Sequence, residues 1–401
     1  MSILRNITIE AKKMLENPEL LLFIGARQSG KTTILKQLQE VLNAENQITY
    51  FLNLEDPEFL GLLNESPKNL FKIFTFDLSR KTFVFIDEIQ YLKNPTNFLK
   101  YIYDEYQGKI KLLVSGSSAF YLDQKFHDSL SGRKKIFPVR TLSFKEFLRF
   151  KNEEKLSQLN FSKLSLTEKE KVKYYYDEFL IYGGYPKVVL APLQEKKEIL
   201  NEIGYSYVKK DIFEAGVRQE ETFYKFIKIL AGGVGGLVNF SEISATLGAT
   251  NATLERYFYI LRKSFHISLV RPFYKNIRKE LTKMPKVYFN DLGLRNFFIG
   301  NLNSPIIRED KGALMENAVF RQLIERYDES EIRFWRTTSG NEVDFIAGDK
   351  NAFEAKFNAK QFDRKKYMVF SENYPEIDLK TASYEIPTGK RDSNALYLWQ
   401  I

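Results

Sequence analysis

The sequence predicts an α/β protein: a parallel β-sheet covered by helices on both faces, a helical stretch, a two-helix-and-hairpin module and a second, smaller α/β unit. Three observations carry this expectation. Short β-branched and aromatic runs alternate with amphipathic stretches from Glu19 onward, the pattern of βαβ units. At roughly 150 residues per domain, 401 residues imply two to four domains. A content of 44% hydrophobic and 28% charged residues suffices to build cores and argues against wholesale disorder.

In chain order, ELLLFIGA is a strand, KTTILKQLQEVLN a helix, and ITYFLNLED, KTFVFIDEIQ and KIKLLVSGSS three further strands, giving an α/β domain over residues 1–145. Lys/Glu-rich helical spacing after SFKEFLRF, broken at Gly183, Gly184 and Pro186, marks a small helical domain over 146–220. Over 221–300, a helix near Ser241–Leu247, a turn at Gly248 and a helix opened by Asn251 lead into the strand ISLVRPFY, which returns as PKVYFND; two helices and a hairpin are the winged helix-turn-helix plan. Over 305–401, the helix LMENAVFRQLIERY precedes three strands, IRFWRTT, EVDFIAG and NAFEAKF. Met14, Met284, Met315 and Tyr174–Tyr176 are expected in the core, and Asp56 as a helix cap.

GARQSGKT fits the phosphate-binding pattern G-x-x-x-x-G-K-[ST] and sits between a strand and a helix, as its mechanism requires. Its backbone, Gly25, Ala26, Arg27, Gln28, Ser29 and Gly30 with Lys31, Thr32 and Thr33, would wrap a triphosphate at a helix N-terminus. Lys31 would reach the β- and γ-phosphates and Thr32 would hold Mg2+. FVFIDE supplies the second element of such a site: Asp87 to orient Mg2+, Glu88 to polarise the attacking water. An intact Glu88 points to hydrolysis as well as binding. Ser115, Ser117 and Ser118 end another strand, where one hydroxyl could sense the γ-phosphate; Ser115 is our candidate.

These motifs, followed by SLSGRKKIFPVRTLSFKEFL and YGGYPKVV, resemble the AAA+ superfamily, in particular prokaryotic AAA+ ATPases with a restriction-endonuclease-like C-terminal domain. The resemblance implies ATP as the nucleotide and a homo-oligomer, usually a ring. It makes Arg133 the candidate arginine finger acting on a neighbouring subunit, with Arg140 and Arg218 as competitors. Glu316, Asp344, Glu354 and Lys356 are similar to the E…D…E-x-K of PD-(D/E)xK nucleases, where the three acids would bind Mg2+ and Lys356, two residues along the same strand, would activate water. Such folds also persist as binding modules without cleavage.

With no cysteine, disulfides, thiolate metal sites and cysteine nucleophiles are excluded; two histidines make a histidine metal cage improbable, and neither His127 nor His266 is given a function. A net charge of +9 favours polyanionic partners. Asn251, Thr253 and Arg256 open the second helix of the two-helix module, where such proteins meet DNA. From Arg271 to Lys286 the basic residues Arg271, Lys275, Arg278, Lys279, Lys283 and Lys286 face one acid, Glu280, so the hairpin could track phosphates. No apolar run approaches the roughly 20 residues that cross a bilayer, and the N-terminus lacks a signal-peptide core, so the expected compartment is the cytoplasm. The expectation is a Mg2+-dependent ATPase that remodels or translocates duplex or branched DNA; the alternatives are an ATP-gated nuclease and a signalling ATPase whose winged helix binds protein.

Overall fold

The run LLLFI forms β1 (Leu20–Ile24) and is almost wholly buried, as a central parallel strand covered on both faces must be. It belongs to the first of two units in this computed structural model, which describes residues 3–116, 130–214, 216–217, 219–274, 283–387 and 394–401. The first unit runs to Arg140 and includes Lys263–Phe265; the second comprises Thr141–Arg262 and His266–Ile401. Apart from Lys263–Phe265, the segments expected as helical domain, winged helix and C-terminal domain thus fall within one unit.

In the first unit, β1 joins β2 (Ile48–Asn53), β3 (Thr82–Asp87), β4 (Ile110–Gly116) and β5 (Lys134–Pro138) in a parallel sheet of order β2-β3-β4-β1-β5. Successive side chains alternate faces. Leu21 and Phe23 pack with Phe83, Phe85 and Leu113 under Ile34, Leu35 and Leu38 of helix Lys31–Ala44. Leu20 and Leu22 pack with Val84, Ile86 and Leu112 against Phe98, Leu99 and Ile102 of helix Pro95–Glu105. Strand β5 was not anticipated: as an edge strand it buries only Phe137, so KKIFP lacks the apolar signature of its neighbours. Asp56 caps helix Pro57–Glu65, accepting from the Glu58 N–H at 2.8 Å.

In the second unit, capping boxes at Ser143 and Ser165 start helices Phe144–Phe150 and Leu166–Tyr182. Asn239 caps helix Phe240–Leu247, which stops at Gly248 (φ 63°), and Thr250 accepts from the Thr253 N–H to open helix Asn251–Lys263. The strands β6 (Ile267–Pro272) and β7 (Lys286–Phe289) pair antiparallel, as expected. The hairpin does not stand alone. Strand β6 also pairs in parallel with β8 (Ile332–Arg336), through Arg271–Arg333 and Pro272–Phe334, so β6 and β7 form one edge of a seven-stranded sheet. The other members are β9 (Glu342–Ala347), β10 (Asn351–Asn358), β11 (Asp378–Glu385) and β12 (Ala395–Tyr397). Tyr384 donates to Asp177 at 2.7 Å and Gln400 to the Phe161 carbonyl at 2.7 Å, tying the helical stretch to the C-terminal strands. Met315 and Tyr176 are core residues, but Met284 and Tyr174 are exposed, contrary to expectation.

Candidate functional site

The loop between β1 and helix Lys31–Ala44 leaves the carboxyl end of a parallel strand, the side on which ligands meet such sheets. Gln28 (φ 63°) and Gly30 (φ 98°) adopt left-handed backbone, and Gly30 opens the helix with no side-chain cap. Gly25 lies so close to the end of β5 that a Cβ would sit 2.1 Å from the Val139 carbonyl oxygen, so no other residue fits there. Lys31 is buried and donates to the Gly25 carbonyl at 3.1 Å and the Ala26 carbonyl at 2.9 Å, drawing the loop around its ammonium. The Ser29 hydroxyl is buried without a hydrogen-bond partner among the described residues. An uncapped helix N-terminus, a buried ammonium and an orphan hydroxyl together suit a phosphate chain. Thr33 is exposed; Arg27 and Ala26 are buried.

Both acids lie beside this loop. Asp87, at the end of β3, accepts from the hydroxyls of Ser115 and Thr32. Burial raises its carboxyl above the ordinary range, against the lowering effect of those two bonds. Glu88 turns into the left-handed region (φ 59°), a conformation costing an ordinary residue about 1–3 kcal/mol, and its N–H donates to Ser115 Oγ at 3.1 Å while Gln90 donates to its carboxylate. Thr32 and Asp87, joined by a hydrogen bond beside the loop, are the residues that could hold Mg2+. Ser115, expected as a γ-phosphate sensor, is fully buried and engages both acids, so its hydroxyl holds them in place. Ser117 and Ser118 lie outside the described residues, as do His127, Arg218, Lys275, Arg278 and Lys279.

Sequence reasoning missed Arg5. Its guanidinium is buried, and donates to the Ser29 carbonyl at 2.9 Å and the Arg140 carbonyl at 3.0 Å, fastening the loop to the end of β5. These contacts span 24 and 135 residues, and nothing local marks them. Arg133 lies at the other end of the sheet: its carbonyl accepts from Leu20 N–H where β1 begins, and its side chain pairs with Asp104 at 2.7 Å. Five strand residues at about 3.3 Å each put roughly 16 Å between it and the loop of its own chain.

In the second unit, Asn251 and Arg256 are exposed, while the Thr253 hydroxyl shares a hydrogen bond with Thr250 at 2.9 Å. Lys286 departs from expectation: it does not belong to a solvated basic hairpin but is 1% exposed. The strands and helix Lys311–Leu323 do gather Glu316, Asp344, Glu354 and Lys356, and Lys286 enters the same cluster. Its ammonium lies 2.9 Å from Glu316, 2.5 Å from Glu342 and 3.9 Å from Asp344. Tyr288 donates to Glu316 at 2.5 Å, and Lys356 to Glu354 at 2.6 Å. Asp344 accepts from Ala355 N–H at 2.9 Å, and Glu354 from Asp344 N–H at 3.3 Å and from Tyr367. Burial and the neighbouring Asp344 push the Glu316 carboxyl up to about 8. No three acidic, His or Cys side chains among the described residues are arranged to hold a metal ion.

Residues 17–148 match the AAA domain family, residues 173–304 a domain of unknown function (DUF8612) and residues 311–395 another (DUF4143). Over 378 residues the chain is 28% identical to an uncharacterized protein of Haemophilus influenzae, covering 90% of this chain and 88% of that one. Over 336 residues it is 27% identical to an uncharacterized protein of Methanocaldococcus jannaschii, covering 82% and 71%. Among solved structures, RuvB of Thermotoga maritima aligns at 18% identity over 69% of this chain and 91% of that one, with a TM-score of 0.33, a likeness too loose to argue from. The first unit thus carries a five-stranded parallel sheet over residues that match the AAA domain model. No described helix is long and apolar enough to cross a membrane.

Proposed function

We propose that the chain is a Mg2+-dependent AAA+ ATPase that works as a homo-oligomer on duplex or branched DNA, remodelling it or moving along it. The observation that carries the reading is the juxtaposition of Lys31 and Thr32 with Asp87, which Thr32 and Ser115 hydrogen-bond, and with Glu88, whose N–H Ser115 accepts. The loop amides and Lys31 bind the β- and γ-phosphates; to do so, Lys31 exchanges the carbonyls of Gly25 and Ala26 for phosphate oxygens. Thr32 and Asp87 would hold Mg2+, which when bound would neutralise charge on the phosphate oxygens. Glu88 takes the proton of the attacking water or orients it, from a backbone position fixed by Ser115.

Arg133, distant from its own loop, acts on a neighbouring subunit, releasing Asp104 as it engages; Arg140, at the loop end of the sheet, is the alternative. DNA as partner is supported by the net charge of +9 and by exposed Asn251 and Arg256 at the start of their helix.

The test is phosphate release by the wild type, Lys31→Ala and Glu88→Gln. Lys31→Ala should lose both nucleotide binding and turnover. Glu88→Gln should bind ATP yet turn over at least a hundredfold more slowly, in keeping with general-base losses of 10²–10⁴. Unchanged turnover in either variant removes this site from the reaction. Gel shifts with duplex and junction DNA over a salt series test the partner, since phosphate contacts must weaken steeply with salt. Sizing with and without ATP tests assembly.

A further inference from the structure

We propose that Lys286 stands permanently where a divalent cation would sit in the C-terminal carboxylate cluster. This makes the cluster a metal-free structural charge network rather than a nuclease centre. The inference is independent of ATP hydrolysis, since it concerns only the second unit.

A PD-(D/E)xK centre needs carboxylate oxygens with free lone pairs converging on one point, and room there for an ion with its water. Here four of the six oxygens of Glu316, Asp344 and Glu354 already accept from protein donors, and Lys286 lies among them. Glu316 Oε1 accepts from both Lys286 and Tyr288, and both Glu354 oxygens are used, one by Lys356 and the other by the Asp344 N–H. Asp344 Oδ2 takes the Ala355 N–H, leaving Oδ1 facing Lys286 at 3.9 Å. The ammonium has the acids of helix Lys311–Leu323 and β9 around it, and its stem lies near the Phe334 ring, with Nζ 5.4 Å from the centroid. Gly235 closes the remaining side: a Cβ there would meet Glu316 Oε2 at 2.5 Å. A divalent ion among these acids would lie within a few ångströms of the ammonium, in a buried site where like charges repel strongly. Four carboxylates (Glu316, Glu342, Asp344, Glu354) are instead met by Lys286, Lys356 and, at Glu342, Arg336.

Mn2+ titrated into the full chain without nucleotide, followed by the paramagnetic resonance of free Mn2+, tests this on wild type and Asp344→Asn. The two should bind Mn2+ alike, and supercoiled, linear and junction DNA should stay intact with Mg2+ or Mn2+. A wild-type Mn2+ site, or a nicking activity, that disappears in Asp344→Asn overturns the proposal. Lys286→Ala should be less stable than wild type and should acquire an Mn2+ site. At a hundredfold excess over Kd, Mn2+ should raise its melting temperature by about 5 °C or more, and Asp344→Asn should abolish that rise. Wild-type stability in Lys286→Ala overturns the proposal equally; if that variant does not fold, the wild-type and Asp344→Asn pair decides alone.

Discussion

Arg5 is separated from the loop it supports by a helix (Asn6–Lys12), a turn and β1, yet from a buried position it donates to the Ser29 carbonyl in that loop and to the Arg140 carbonyl beyond β5. A hydrogen bond from a charged group is worth about 1.5–3 kcal/mol, and truncation removes that donor from both the Ser29 and the Arg140 carbonyl. Arg5→Ala should therefore raise the Kd for ATP by roughly tenfold or more, by titration with a fluorescent ATP analogue; an unchanged Kd would show that the loop holds itself. Asp87 carries a second residue-scale consequence. Its carboxyl titrates above the ordinary range because of burial, while bonds from Ser115 and Thr32 hold the shift down. Only the ionised form can help hold Mg2+, so turnover should fall on acidification starting above the usual carboxylate range. Ser115→Ala removes one of the bonds favouring the ionised form and should move that acidic limb to higher pH. A pH–rate profile whose limb stays put would sever Ser115 from Asp87.

At the scale of elements, β1 and β5 are locked where Gly25 passes the Val139 carbonyl. In Gly25→Ala the added methyl must push the loop or the strand end aside, at about 1–3 kcal/mol for an overpacked site, so both nucleotide binding and the melting temperature should drop. Equal ATP affinity in that variant would mean the loop relaxes freely. The same elements separate what the sequence discloses from what it conceals. Strands β1, β3 and β4 were legible because burial on both faces demands unbroken apolar runs, and the loop was legible because its chemistry is contiguous. Strand β5 was not, since an edge strand keeps its lysines. Neither was the pairing of β6 with β8, which joins distant segments and turns a hairpin read as a basic wing into a sheet edge. Lys286 was misread for that reason: a lysine among lysines signals solvent until the fold brings Glu316 and Glu342 to it.

For the molecule as a whole, the second unit contains two buried charge networks with opposite pH responses. Burial raises Asp310, but hydrogen bonds from Arg308 and the charge of Arg295 outweigh it and hold the carboxyl at about 2, against 3.8 unperturbed. That contribution is complete above about 3.8 and lost as pH falls through about 2. Glu316 runs the other way: with a carboxyl near 8 against 4.5 unperturbed, its contribution is present below about 4.5 and lost as pH rises through about 8. Stability of this unit should then peak in the mildly acidic range and decline toward pH 8. The chain provides a selective probe, because both of its tryptophans, Trp335 and Trp399, are buried in the second unit. Denaturation followed by tryptophan fluorescence from pH 3 to 9 should show Glu316→Gln flattening the alkaline decline. Asp310→Asn should cost about 3–5 kcal/mol at neutral pH, because it leaves the buried guanidinium groups of Arg295 and Arg308 without their shared carboxylate. Glu354, in the same cluster, is also raised, to about 7, by burial and Asp344, so an alkaline slope that persists in Glu316→Gln but vanishes in Glu316→Gln/Glu354→Gln would move the response to Glu354, and one that survives both would place it outside these two acids.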